Sequence, residues 1–81
     1  MGTMELLQHL IAEPRDHRWV ERHSAMRALK TISAARYAER ASGVWRATRK
    51  GAAMALRRRL AVVIQDPVTG ASRLTPVPSS T

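Results

Sequence analysis

Apolar residues near the start of the chain recur at helical spacing. They fall on one helical face at Met4, Leu7, Leu10 and Ile11. This spacing predicts an amphipathic helix over residues 4–13, with Thr3 as its N-cap. Pro14 ends the run because proline cannot continue a helix.

A second apolar pattern begins after Asp16, whose side chain suits the N-cap of a helix from about residue 17. Its apolar positions are Trp19, Met26, Leu29 and Ile32. Thr31 and Ser33 are both cap-forming types, so a new helix can begin there. The alternative is one uninterrupted helix to Ser42, with Ser42-Gly43 as a stop or kink.

The pattern over residues 44–60 predicts a third helix with two distinct faces. One face is an apolar seam of Trp45, Ala52, Leu56 and Leu60, and the opposite face is cationic, with Arg46, Lys50, Arg57 and Arg58. Gly51 interrupts this helix at a cost of about 1 kcal/mol relative to alanine. Its presence indicates close helix packing or a break.

The C-terminal third has the pattern of a β-hairpin. Residues 60–65 are rich in β-branched side chains, residues 66–70 have turn chemistry, and residues 71–77 return as a second strand. Pro76 restricts that strand to an edge or to its own end. Residues 78–81 are expected to form a disordered tail.

Together these elements predict one small domain over residues 1–77. It is expected to be mainly α, a three-helix, winged-helix-like domain with a C-terminal β-hairpin. The alternative is a long helical hairpin over residues 17–60, because small residues there follow the spacing of a helix–helix seam. The seam positions are Ala34, Ala38, Ala41, Trp45, Thr48 and Ala52.

Charge is distributed unevenly along the 81 residues, whose formal net charge is +8. Residues 40–59 hold seven Lys or Arg and no acid, whereas five of the six acids precede residue 40. This asymmetry favours binding to a polyanion or an acidic surface. The alternative is a solvated helix face that only keeps the protein soluble.

The segment from Thr31 to Lys50 resembles a helix-turn-helix. Ser33–Ala41 matches the first helix, Ser42-Gly43-Val44 the turn, and Trp45 onward the recognition helix. The hairpin over residues 60–77 matches the wing of winged-helix proteins. The resemblance implies DNA binding through the cationic helix.

We therefore expect a small basic DNA-binding regulatory protein of bacterial or phage/mobile-element type, acting as a homodimer or with a partner. Its phosphate contacts are assigned to Arg46, Arg49, Lys50, Arg57, Arg58 and Arg59, and Arg46 or Lys50 is expected to reach bases. The rival hypothesis is a non-enzymatic antagonist or adaptor that grips an acidic protein partner. A third hypothesis is that the cationic helix binds to an anionic membrane surface.

The residue types argue against an enzyme. The three histidines, His9, His17 and His23, lack the spacing of a metal site, and the glycines are too isolated for a phosphate loop. No cofactor is expected. The chain has no cysteine, which favours a reducing cytoplasm. Its longest apolar run, residues 60–64, is too short to span a bilayer.

Overall fold

The structure is a computed structural model that describes residues 1–78. Within these residues, four helices and five strands follow one another in the order α1 (Thr3–Ala12), β1 (Arg15–Asp16), α2 (His17–Arg22), α3 (Met26–Ala34), β2 (Ala38–Ala41), β3 (Val44–Ala47), α4 (Arg49–Arg57), β4 (Ala61–Gln65) and β5 (Ser72–Pro76). The domain is α+β, with 44% helix and 26% strand in two antiparallel sheets.

The predicted mainly α, three-helix, winged-helix-like domain is therefore wrong, and so is the long helical hairpin. Both placed residues 38–41 and 45–47 in helix, whereas β2 and β3 form a hairpin there. Ser42 and Gly43 both have positive φ, 52° and 79°. A two-residue loop of this kind matches the twist of a β-hairpin, so Ser42-Gly43 is a hairpin turn and not a helix stop.

Helix α1 confirms the helix predicted over residues 4–13, although Gly2 and not Thr3 is its N-cap. The side chains of Leu6, Leu7 and Leu10 are buried in the core. Helix α1 packs against α3, α4, β3 and β5, so it lies at the centre of the domain.

Asp16 caps α2 as predicted, because its carboxylate accepts a hydrogen bond of 2.8 Å from the Trp19 backbone N–H. The helix breaks at residues 23–25, where Ser24 has φ 53°. Residues 30–34 lie unbroken within α3, so no helix begins at Thr31 or Ser33, and the alternative of one uninterrupted helix to Ser42 is also wrong because α3 ends at Ala34. Strand β3 lies between β1 and β2 in a three-stranded sheet.

The helix predicted over residues 44–60 is only half present. Thr48 caps α4 through a 3.1 Å hydrogen bond from the Gly51 N–H, and residues 44–47 are strand. The buried face of α4 consists of Gly51, Met54 and Ala55. The predicted apolar seam is wrong, because Trp45 lies on a strand and Leu56 is 40% exposed.

The predicted C-terminal hairpin is confirmed. Strands β4 and β5 pair with Ala61 opposite Pro76 and Gln65 opposite Ser72, which puts Pro76 at the end of its strand as expected. The Gln8 side chain donates to the Leu60 carbonyl at 2.8 Å and ties the hairpin to α1. Of the predicted tail, residues 79–81 lie outside the described residues.

Candidate binding surface

Helix α3 has one buried and one exposed face. Ala28, Leu29 and Ile32 are buried in the core. The exposed positions follow helical spacing and form a stripe of Arg27, Lys30, Thr31 and Ala34. This stripe is the polar face of a helix whose orientation is fixed by the core beneath it.

The stripe lies in a segment without acids. Residues 22–38 contain no Asp or Glu and four cations, namely Arg22, Arg27, Lys30 and Arg36. Among residues 1–78, Arg15 forms an ion pair with Glu13 at 2.9 Å, and the His17 ring lies 3.1 Å from the Glu21 carboxylate. Within that range, the cations of α3 thus face solvent without a carboxylate partner.

The β2–β3 hairpin lies beside this stripe. A groove of about 360 Å³ separates them, lined by Met26, Leu29, Lys30, Ser33, Ala34 and Trp45. The guanidinium carbon of Arg40 lies 6.0 Å from the centre of the Trp45 ring. We call Arg27, Lys30, Thr31, Ala34, Arg40 and Trp45 the α3–hairpin surface.

The strand register explains why Arg40 and Trp45 share this side. Arg40 lies opposite Trp45, and Ala38 lies opposite Ala47. Alternate residues of a strand point to the same face, so Arg40 and Trp45 share the face of the buried Ala38. The Trp45 indole N–H is buried and has no hydrogen-bond partner among residues 1–78.

Thr48 fastens the base of this hairpin to the end of α3. Its hydroxyl donates to the Arg36 carbonyl at 2.6 Å, and its backbone N–H donates to the Tyr37 carbonyl at 3.0 Å. The Lys50 ammonium lies 5.6 Å from the centre of the Tyr37 ring. These contacts fix the main chain at Arg36 and the start of α4 next to the C-terminal end of α3.

The residues predicted as DNA contacts do not share one helix. Arg46 is on β3 opposite Glu39, on the sheet face away from Trp45. Arg49 and Lys50 begin α4, whereas Arg57 ends it and Arg58 and Arg59 follow it. These two groups are separated by a nine-residue helix, which is about 13 Å long. Their role in binding stays a prediction.

Sequence reasoning missed Arg27, Lys30 and Arg40 as members of one surface. Two signals in the sequence mark Arg27 and Lys30: the acid-free run over residues 22–38 and the helical spacing of the polar residues 27, 30 and 31. Arg40 was counted in the cationic stretch but was assigned to a helix. Its position beside Trp45 depends on the hairpin register.

A second group of cations surrounds Trp19 but has mixed charge. Arg15 lies 4.5 Å from the centre of the Trp19 ring and is paired with Glu13. Arg18 and Arg22 line the same groove together with Asp16. His23 stacks on Trp19 with 4.1 Å between ring centres. Because two carboxylates share this groove, it attracts an anion less strongly than α3 does.

Residues 1–78 contain no cluster of His, Cys, Asp and Glu suited to holding a metal ion. In the same range, no helix has the length and apolar character needed to cross a bilayer.

Comparison with protein-family models, with curated proteins and with solved structures finds no match to this chain. The case for a function therefore rests on the α3–hairpin surface itself.

Proposed function

We propose that the protein is a small basic DNA-binding regulator, of bacterial or phage/mobile-element type, that binds duplex DNA with α3. The observation that carries this proposal is the exposed stripe of Arg27, Lys30, Thr31 and Ala34, which has no acid and lies across a groove from Trp45, the neighbour of Arg40 on the hairpin. The recognition element is thus assigned to α3 and not to the helix after Trp45.

The order of elements supports this assignment. Helix α2, the turn at residues 23–25 and α3 follow one another as helix, turn and helix. In helix-turn-helix proteins the second helix enters the major groove, which is about 12 Å wide and admits one helix. Arg27 and Lys30 carry the donors that read guanine edges, and Ala34 can contact a thymine methyl group.

The hairpin and α4 supply the backbone contacts in this proposal. Arg40 lies beside Trp45, which lines the groove, and Arg36 and Lys50 belong to the segments that meet after the C-terminal end of α3. Arginine and lysine at the edges of a recognition helix neutralise phosphates and fix its register on the duplex. Arg57, Arg58 and Arg59 lie at the other end of α4 and are assigned weaker, non-specific contacts.

The test compares two double variants by fluorescence anisotropy with a labelled duplex at low salt. Arg27→Ala with Lys30→Ala removes two charges from α3, and Arg57→Ala with Arg58→Ala removes two from the end of α4. We expect the α3 variant to bind about 10- to 100-fold more weakly. The α4 variant should lose less than about threefold.

Equal losses in the two variants would show that net charge alone drives binding. A larger loss in the α4 variant would return the site to the residues predicted from the sequence. Absence of binding to any duplex at low salt would remove the DNA proposal altogether.

The rival function, an antagonist or adaptor that grips an acidic protein partner, is favoured by one observation. Trp45 and Arg40 lie together beside the groove, and tryptophan and arginine are the residue types that dominate protein interfaces. This function predicts one stoichiometric partner in a pull-down that survives nuclease treatment. Loss of the partner after nuclease treatment would contradict it.

A further inference from the structure

The two edges of the C-terminal hairpin differ in how well they are protected against pairing with a further strand. Among residues 1–78, β4 and β5 pair only with each other, so each leaves one edge unpaired. Strand β5 carries Arg73 and Pro76, two residue types that block further pairing. Strand β4, with the sequence AVVIQ, carries neither a charge nor a proline. The β4 edge is therefore open to another strand.

The hydrogen-bond pattern shows which backbone groups face this open edge. Val77 donates its N–H to the Leu60 carbonyl at 2.9 Å, and Asp66 donates its N–H to the Ala71 carbonyl at 2.8 Å. Bonded and non-bonded positions alternate along an antiparallel pair, so Val62 and Ile64 bond to β5. The N–H and C=O groups of Val63 and Gln65 consequently point outward to solvent, whereas those of Ala61, which is 2% exposed, are covered by the rest of the domain.

The side chains at this edge are apolar and exposed. Val62, Val63 and Ile64 are 45%, 56% and 44% exposed. Residues 60–72 contain no Lys or Arg, although the whole chain has a net charge of +8. Two such chains repel each other over most of their surfaces, but no cation of this segment opposes their approach at β4.

We infer that β4 pairs with β4 of a second copy of this chain, antiparallel about a two-fold axis at Val63. Val63 then exchanges two backbone hydrogen bonds with its own equivalent, and the buried Ala61 lies outside the junction. The side chains of Val62 and Ile64 meet across the junction, where cross-strand apolar pairs stabilise a sheet. An edge that is neutral and apolar is complementary to itself, as a two-fold interface requires.

This inference goes beyond the proposed function and does not rest on it, because it is tested without nucleic acid. Sedimentation equilibrium over a range of concentrations should give twice the 9.0 kDa chain mass. Val63→Lys places two like charges opposite each other at the axis and should restore the monomer mass. Val68→Lys adds the same charge at a turn residue that is 89% exposed and should leave the dimer intact.

Val63→Pro supplies a second variant, because it removes only an N–H that points away from β5 and should also give a monomer. Hydrogen exchange of the wild type should show protection at Val63 that rises with protein concentration. A wild type that stays monomeric at millimolar concentration would overturn the inference. A dimer that survives both Val63 substitutions would overturn it as well.

Discussion

Gly51 lies directly against the main chain of Tyr37. A Cβ atom at position 51 would approach the Tyr37 carbonyl carbon to 2.9 Å and its oxygen more closely still. Because this neighbour is backbone, it cannot move aside as a side chain can. We expect Gly51→Ala to destabilise the fold by about 1–3 kcal/mol, measured by urea denaturation.

Whether Gly51→Ala lowers or raises the stability of the fold tests the close contact with Tyr37. Glycine to alanine within an uncrowded helix stabilises by about 1 kcal/mol, so a stabilised Gly51→Ala would contradict the close contact. The matched control is Ala53→Gly on the exposed face of α4. It should cost about 1 kcal/mol and report helix propensity alone.

Arg58 and Arg59 should respond oppositely to the same substitution. Arg59 has φ 59°, and it and Leu60 close α4 with backbone hydrogen bonds of 3.1 Å to Leu56 and 2.8 Å to Ala55. Glycine is favoured at this position, so Arg59→Gly should stabilise by about 0.5–1 kcal/mol. Arg58 has φ −88°, and Arg58→Gly should destabilise by a similar amount.

Thermal unfolding of the two variants at one pH measures this difference. Each variant loses one positive charge, so electrostatics cannot account for opposite signs. Equal shifts in Tm would contradict the left-handed conformation at Arg59.

Arg40 should contribute through a phosphate contact. If so, Arg40→Ala weakens binding to all duplexes alike and reduces the slope of log K against log salt by about 0.9. Anisotropy titrations at three or more salt concentrations measure the slope. Arg73→Ala, on the C-terminal hairpin, is the control and should leave the slope unchanged. A slope unaffected by Arg40→Ala would exclude that contact.

Trp45 should report binding by its fluorescence. The chain has two tryptophans, and Trp45 lines the groove beside α3. In a Trp19→Phe variant, addition of duplex DNA should quench or shift the Trp45 emission. In a Trp45→Phe variant, the remaining Trp19 emission should change much less. A larger change in Trp19 would place the ligand over the groove that contains Arg15 and Arg18 instead.

Asp66 should make the C-terminal turn sensitive to acid. The backbone N–H groups of Val68 and Thr69 donate to its carboxylate and hold its pKa below the ordinary 3.8. A pKa lowered by folding stabilises the folded state above pH 3.8, and this stabilisation is lost as the pH falls through the folded pKa.

Asp66→Asn is the matched comparison, because its amide oxygen still accepts hydrogen bonds but does not titrate. The wild type should be more stable than Asp66→Asn near neutral pH, and the difference should vanish in acid. Thermal unfolding of both proteins between about pH 2 and about pH 7 measures it. A difference that stays constant across this range would contradict the pKa shift.

Caps, helix stops and turns were predicted correctly from the sequence, because each is determined by residues close to it in the chain. The Asp16 cap, the stop at Pro14 and the C-terminal turn at Asp66 depend on neighbouring residues, and each lies where it was expected. The β2–β3 hairpin was missed because residues 38–47 contain alanine at helical spacing. Pairing with β1 and packing on the core override that weak propensity.

The candidate site was harder to predict for the same reason. A helical projection grouped Arg46 with Lys50, Arg57 and Arg58. The chain changes from strand to helix at Thr48, so Arg46 lies on β3 and the other three belong to α4 or its C-terminal end. The approach of Arg40 and Trp45 to α3 is set by tertiary packing. The excess of cationic residues was visible in the sequence. Which of them share a surface depends on the strand register of the β2–β3 hairpin, which the sequence did not show.

The hydrogen bonds from Thr48 to Arg36 and Tyr37 join the two ends of the β2–β3 hairpin at its base. The Ser42-Gly43 tip is exposed and lies at the far end of the paired strands. Residues added at the tip would leave these hydrogen bonds and the core unaltered. Lengthening a closed loop also costs little free energy. The hairpin is thus the part of this domain where length can vary freely, during evolution or by engineering, to change how far it reaches beyond α3.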